Sequence, residues 1–154
     1  MADRVLFELV SPVSPERLIL SEPVEMVVVP GSEGNFGVLP GHAPLISSIR
    51  PGMIEIYEGR TVTRRIFVAG GIAEVIPERC TVLADEAMPP EALDRGALDA
   101  ELGEIEGNLP RLREEIARTS GQERERLTAE LHGLERRQAV ARAKLAALAE
   151  AAPH

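Results

Sequence analysis

The residues able to do chemistry are few in this chain and stand apart from one another. Cys80 is the single cysteine, and His42 is the only histidine of the first half. A thiol or an imidazole becomes a nucleophile or a base only beside a second group that takes or holds its proton. A zinc-type site needs three or four ligands together. Neither Cys80 nor His42 has a histidine, a cysteine or clustered acids at ligand spacing, so no catalytic residue, metal site or cofactor is expected. Cys80 lies in the strand-like run Glu78-Arg79-Cys80-Thr81-Val82-Leu83, where a small buried hydrophobe is the expected role. A lone cysteine also excludes an intrachain disulfide. His42 is expected to serve packing or an interface contact. Gly31, Gly34 and Gly37 recur at intervals of three, but no Lys-Ser or Lys-Thr follows and no helix begins there. They are therefore no phosphate-binding loop. They run into Gly34-Asn35-Phe36-Gly37-Val38-Leu39-Pro40-Gly41-His42-Ala43-Pro44-Leu45, whose glycines and prolines set an unusual backbone path between strands.

The elements that must position these residues fall into two parts. All the aromatic residues (Phe7, Phe36, Tyr57 and Phe67) precede residue 87, and Val140 is the only valine after it. A β-rich module over 1–87 is therefore expected to be followed by a helical module over 88–154. With 154 residues the front part can bury its own core, whereas the rear part needs a partner surface. The formal charge of −8 is spread over both parts, which suits no polyphosphate backbone and argues against a nucleic-acid partner. Met1-Ala2-Asp3-Arg4-Val5 has neither a secretory nor a basic amphipathic character. No apolar run approaches the ~20 residues that cross a bilayer.

In the front module the strand candidates are Val5 to Val10, stopped by Ser11-Pro12, then Arg17 to Leu20, Val24 to Val29, Phe36 to Leu39 and Leu45 to Ile49. Met53 to Tyr57, Thr61 to Ala69, Ile72 to Ile76 and Cys80 to Ala84 follow, with turns at Arg50-Pro51-Gly52, Glu58-Gly59-Arg60, Gly70-Gly71 and Pro77-Glu78. Short strands separated by turn signals roughly every ten residues predict an antiparallel sandwich or a flattened barrel.

In the rear module, Pro89-Pro90 with Glu91 suits a helix start. Leu98, Leu102, Ile105, Leu109, Leu112 and Ile116 then recur at spacings of 4 and 3, a heptad seam. Pro110 must remove one helix hydrogen bond, so the first helix either kinks there or breaks in two. Thr119-Ser120-Gly121 interrupts, and Ser120 with Glu123 has the spacing of a capping box. The second seam is Leu127, Leu131, Leu134, Gln138, Ala141, Leu145 and Leu148. Two such seams predict an antiparallel α-helical hairpin, so the chain is expected to be of the α+β class in two parts. Gly103, Gly107, Gly121 and Gly133 weaken the helices by up to ~1 kcal/mol each against alanine. Arg136, Arg137, Arg142 and Lys144 gather on the second helix, either as a solvated face that complements the helix dipole or as a docking surface for an acidic partner.

Laid out in this way, the chain resembles the epsilon subunit of bacterial F-type ATP synthase. The resemblance rests on Gly37-Val38-Leu39-Pro40-Gly41-His42-Ala43-Pro44-Leu45 and Pro51-Gly52-Met53-Ile54, with Gly70-Gly71-Ile72-Ala73-Glu74-Val75 and Thr81-Val82-Leu83-Ala84-Asp85. These blocks cover most of residues 5–87; the rear half matches in architecture more than in residues. The resemblance implies a non-catalytic rotor subunit of the central stalk that links gamma to the c-ring and restrains ATP hydrolysis through its hairpin. It implies transient contact with the alpha and beta subunits and a peripheral place on the cytoplasmic side of the cell membrane. Glu33, Asn35, Phe36, His42 and Pro44 are the implied contacts to the c-ring and gamma, with Asn35 standing where the family often has an acid. Arg136, Arg137, Arg142 and Lys144 are the implied docking residues of the hairpin. Some relatives bind ATP through an Ile/Leu-Asp-x-x-Arg-Ala segment. Leu93-Asp94-Arg95-Gly96-Ala97 keeps Asp94 but has Ala97 in place of the arginine, which leaves an ATP-sensing module as the alternative function.

Overall fold

The computed structural model describes residues 3–11 and 17–151, so the expected strand stop at Pro12 lies outside the described residues. The strands are β1 (Val5–Ser11), β2 (Arg17–Val24), β3 (Met26–Gly31), β4 (Gly34–Val38), β5 (Leu45–Ile49), β6 (Gly52–Glu58), β7 (Thr61–Val68), β8 (Gly71–Ile76), β9 (Arg79–Ala84) and β10 (Ala87–Met88). A 3-10 turn (Pro90–Ala92) and two α-helices follow, α1 (Arg95–Arg118) and α2 (Gly121–Ala151). The helix expected to start at Pro89-Pro90 thus begins at Arg95, capped by Asp94. Each strand foreseen in the sequence is present; β10 is the addition. It pairs Ala87 with Val68 and Met88 with Phe67, which carries the sheet past residue 87. The chain divides into Met1–Ala92 and Leu93–His154.

In the first unit the strands are ordered β10-β7-β6-β3-β5-β8-β9-β1-β2, with β4 attached to β3 as a hairpin. The path turns a corner between β3 and β5, which share only the pair Gly31 and Ile49. All pairs are antiparallel except β1 with β9, which run parallel and place Phe7 beside Cys80. Period-two alternation decides which side chains enter the core. In β1, Val5, Phe7 and Leu9 are buried while the residues between them are half-buried. They meet Val27, Val29, Ile54 and Ile56 from one half of the sandwich and Ala73, Val75, Cys80 and Val82 from the other in one apolar cluster. Fully burying side chains of this kind is worth about 1.5–3 kcal/mol each.

In the second unit α1 is a single helix with Pro110 inside it, so the break held open by the sequence does not occur. Pro110 has no N–H for the carbonyl of Glu106, and both residues are on the exposed side of the helix, where the lost bond leaves no polar group in the seam. Leu98, Ile105, Leu109 and Leu112 are the buried side chains of α1. Thr119 ends the helix in an extended conformation, its N–H donating to the Ile116 carbonyl at 3.3 Å and its hydroxyl to the Glu115 carbonyl at 2.6 Å. Gly121 then takes φ +67°, a left-handed turn that glycine adopts without strain. The capping box foreseen at Ser120 and Glu123 does not form. The Glu123 carboxylate instead accepts from the Arg126 guanidinium at 3.2 Å, which holds its pKa below the ordinary carboxylate range.

Candidate interaction surfaces

The turn between β3 and β4 is built from backbone upward. Gly34 sits at φ +138°, and Gly31 lies so close under Phe36 that a Cβ there would meet the ring at 2.8 Å. Phe36 is therefore half-buried and packs against the core, while Glu33 and Asn35 stay exposed at the tip. Arg50 ties the turn down: its guanidinium donates to the Gly31 carbonyl and, at 2.6 Å, to Asn35 Oδ1. Its own N–H donates to the Pro30 carbonyl, and the Ser32 N–H to the Ser48 carbonyl, both at 2.9 Å. The next loop is fastened by the Gly41 N–H to the Pro77 carbonyl at 2.8 Å, with Gly41 at φ +82°. His42 is half-buried with Nδ1 2.7 Å from the Ala43 carbonyl, and Pro44 is exposed. Glu33 and Asn35 thus lie at one end of β4 and His42 and Pro44 beyond its other end, on two separately fastened loops, and Phe36 serves chiefly as the floor of the first. Replacing Arg50 by Met should cost about 1–2 kcal/mol, as two hydrogen bonds from a charged donor are lost. Faster amide exchange confined to residues 31–36 would show it; unchanged exchange there would mean the turn holds without the clamp.

The strand register exposes a surface that sequence reasoning missed. On the outer face of the sheet Ile72 lies opposite Leu83, Leu83 opposite Val10, and Val10 opposite Leu18. This apolar row crosses four strands, and Ile72 and Leu18 are 48% and 56% exposed. The adjacent row is polar, running Glu74, Thr81, Glu8 and Ser21, and Ile46, 74% exposed, stands at its end opposite Glu74. An apolar stripe rimmed by polar groups is the form of a protein-binding surface. Alternation within each strand hinted at outward apolar positions, but only the pairing aligns them.

In the hairpin the expected seam of α1 is largely buried, whereas that of α2 holds only in part. Among the described residues Leu127 and Ala141 are buried, Leu131, Leu134, Gln138, Leu145 and Leu148 are half-buried, and Ala147, outside the expected seam, is buried. Ion pairs flank the seam: Arg142 with Glu106 at 3.2 Å, Arg113 with Glu135 at 3.3 Å and Arg137 with Glu101 at 3.6 Å. In heptad terms the first two join e to e and the third g to g, which are the flanks that meet when two helices run antiparallel. The basic residues singled out in the sequence are thus not one outward cluster. Arg137 and Arg142 sit on opposite flanks and are paired, whereas Arg136 points outward and makes no ion pair among the described residues. Asp94 caps α1, its Oδ1 accepting from the Ala97 N–H at 3.3 Å and its carbonyl from the Leu98 N–H at 2.9 Å.

Burial pushes the Cys80 thiol up to about 12, so it stays neutral and unreactive at ordinary pH. Among the described residues no group of acids, histidines and cysteines converges as metal ligands do, and no helix is long and apolar enough to cross a membrane.

A β-sandwich with an exposed apolar row, followed by an antiparallel hairpin, defines a two-module interaction protein. The family described as ATP synthase, Delta/Epsilon chain, beta-sandwich domain matches residues 9–90. The chain is 58% identical over 109 residues to the ATP synthase epsilon chain of Rhodospirillum rubrum, covering 71% of this chain and 79% of that one. It is 55% identical over 118 residues to that of Rhodospirillum centenum, covering 75% and 76%. The relative from Chelativorans is 39% identical over 123 residues, covering 80% and 89%. Among solved structures, the fold is similar to a chain of the Euglena gracilis mitochondrial ATP synthase (OSCP/F1/c-ring, rotational state 1). The TM-score is 0.72 at 24% identity, covering 95% of this chain and 82% of that one. The chain belongs to the epsilon subunits of bacterial F-type ATP synthases.

Proposed function

We propose that this chain is a non-catalytic rotor subunit that couples gamma to the c-ring in the proton-translocating ATP synthase and restrains ATP hydrolysis through its hairpin. The observation that carries this reading is the apolar row Ile72, Leu83, Val10 and Leu18, which gives a rigid sandwich a face for a protein partner. In this assignment the row receives gamma, with Ile46 beside it at the end of the adjacent row. The fastened turn bearing Glu33 and Asn35 meets the c-ring, and the loop bearing His42 and Pro44, at the opposite end of β4, joins the contact with gamma. A sandwich whose strands are all cross-paired transmits torque between two such contacts without yielding. The hairpin reaches the alpha and beta subunits in a second placement, with Arg136, Arg137, Arg142 and Lys144 as the groups that meet their acidic residues. Association with the cytoplasmic face of the membrane then comes through the complex. Nucleotide sensing is not assigned, because the Asp94 carboxylate is engaged in capping α1.

The test is ATP hydrolysis by the reconstituted catalytic head with the full chain and with the chain ended after Ala92. Cutting at Asp85 would remove β10, whose Ala87 packs against the core. Both forms are expected to bind, and hydrolysis is expected to be faster with the shortened one. Equal hydrolysis with both bound would remove the regulatory role, and failure of both to bind would remove the rotor assignment.

A further inference from the structure

Arg137 and Arg142 bracket the weakest stretch of the hairpin seam. Between them lie Gln138 and Ala141, seam positions where the partner helix offers leucine and isoleucine. At these two positions α2 offers an amide and a methyl in place of leucines, so the seam closes there on less apolar area even though Ala141 is buried. What supplements it is charge: Arg137 holds Glu101 at 3.6 Å and Arg142 holds Glu106 at 3.2 Å, with Arg113 and Glu135 as a third bridge. The bridges occur on both flanks of the seam and exist only while the helices lie antiparallel against each other.

A guanidinium paired with one carboxylate is not free for another. We propose that Glu101 and Glu106 act as an internal substitute for the acidic partner surface. They latch the hairpin closed and keep Arg137 and Arg142 from docking until it opens, with ionic strength setting the balance. This rests on the hairpin-docking reading above and adds its regulation. Every participant is solvent-exposed, so each bridge shifts the closed-to-open ratio only ~2–5-fold. A device of that size tunes an equilibrium without locking it. Exposed pairs are screened by salt, with a Debye length of about 10 Å at 0.1 M, so the latch loosens as salt rises.

The test uses the full chain and the variant carrying Glu101→Gln and Glu106→Gln, changes that keep side-chain shape. Amide exchange of α1 and α2 at low salt should quicken ~4–25-fold, the product of two such bridges. Wild-type exchange should approach that of the variant when salt is raised. With the reconstituted catalytic head, the variant should inhibit hydrolysis at a concentration lower by a similar factor. Arg137→Gln with Arg142→Gln should quicken exchange to the same degree yet raise that concentration. Opposite effects on docking from equal effects on opening are the signature of masking. Unchanged exchange in the glutamate variant would overturn the latch. Quickened exchange with weakened inhibition would overturn the masking. The chain ended after Ala92 separates the two readings. If it leaves hydrolysis unaltered, the docking role fails, and exchange alone decides the latch.

Discussion

Gly71→Ala should destabilise the sandwich by about 3 kcal/mol or more, enough to lower its melting temperature by roughly 12–24 °C. Gly71 takes φ +140°, a conformation L side chains rarely adopt, at the head of β8. A Cβ built there would lie 2.0 Å from the Leu83 carbonyl oxygen and 3.0 Å from the Ala84 Cα. Both atoms are backbone, held by the pairing of Gly71 with Ala84 and Ile72 with Leu83, so no rotamer change relieves the overlap. Relief requires β8 and β9 to part, and both are interior strands of the sheet. The comparison is Gly59→Ala, where φ is +64° and no atom lies within 4 Å of the added Cβ. That change carries only the left-handed penalty of about 1–2 kcal/mol. Thermal unfolding of the two variants beside the parent decides the matter. A Gly71→Ala chain melting within a few degrees of Gly59→Ala would mean the strands have room that the geometry denies.

Ile105→Asp should open the hairpin while leaving the sandwich folded. Ile105 is 1% exposed at the middle of the α1 seam. The change forfeits about 1.5–3 kcal/mol of apolar burial and places a carboxylate where no partner stands. Most of a helix's stability in a protein comes from packing of its apolar face, so a hairpin that cannot close loses helix content as well. Circular dichroism should record a fall in helicity. Amide resonances of 5–84 should keep their positions, because the sandwich core of Val5, Phe7, Leu9, Ile54 and Val82 draws on no residue of either helix. Retained helicity would show that the seam is held by something other than its apolar side chains.

Much of this organisation was legible in the residues. Nine strands and both helices were marked by local signals: β-branched runs cut by glycine and proline, then leucine and isoleucine at heptad spacing. The seam from Leu98 to Ile116 is a property of one helix, so periodicity alone reveals it. The two-residue β10 was not visible, because Ala87 and Met88 carry no strand pattern and form a strand only because β7 is there to pair with them. The choice made by Glu123 was likewise hidden. Its spacing from Ser120 fits a capping box, but Arg126 competes for the same carboxylate, and which contact wins depends on side-chain placement. The cross-hairpin bridges were within reach: an antiparallel seam puts e beside e and g beside g, and the charges at those positions were already complementary.

By itself, then, the sequence determined the two modules, the strand and helix content, the closing seam of the hairpin, and the ordered glycine and proline blocks that mark the family. Those depend on neighbours in the chain, whose spacing sets which face a side chain takes. The tertiary structure alone decided which strands meet. Only the parallel pairing of β1 with β9 and the register of β8, β9, β1 and β2 bring Ile72, Leu83, Val10 and Leu18 into one row. Each of those residues is an ordinary outward apolar position in its own strand. They become a surface because contacts between segments remote in sequence place them side by side, and no local pattern encodes that meeting.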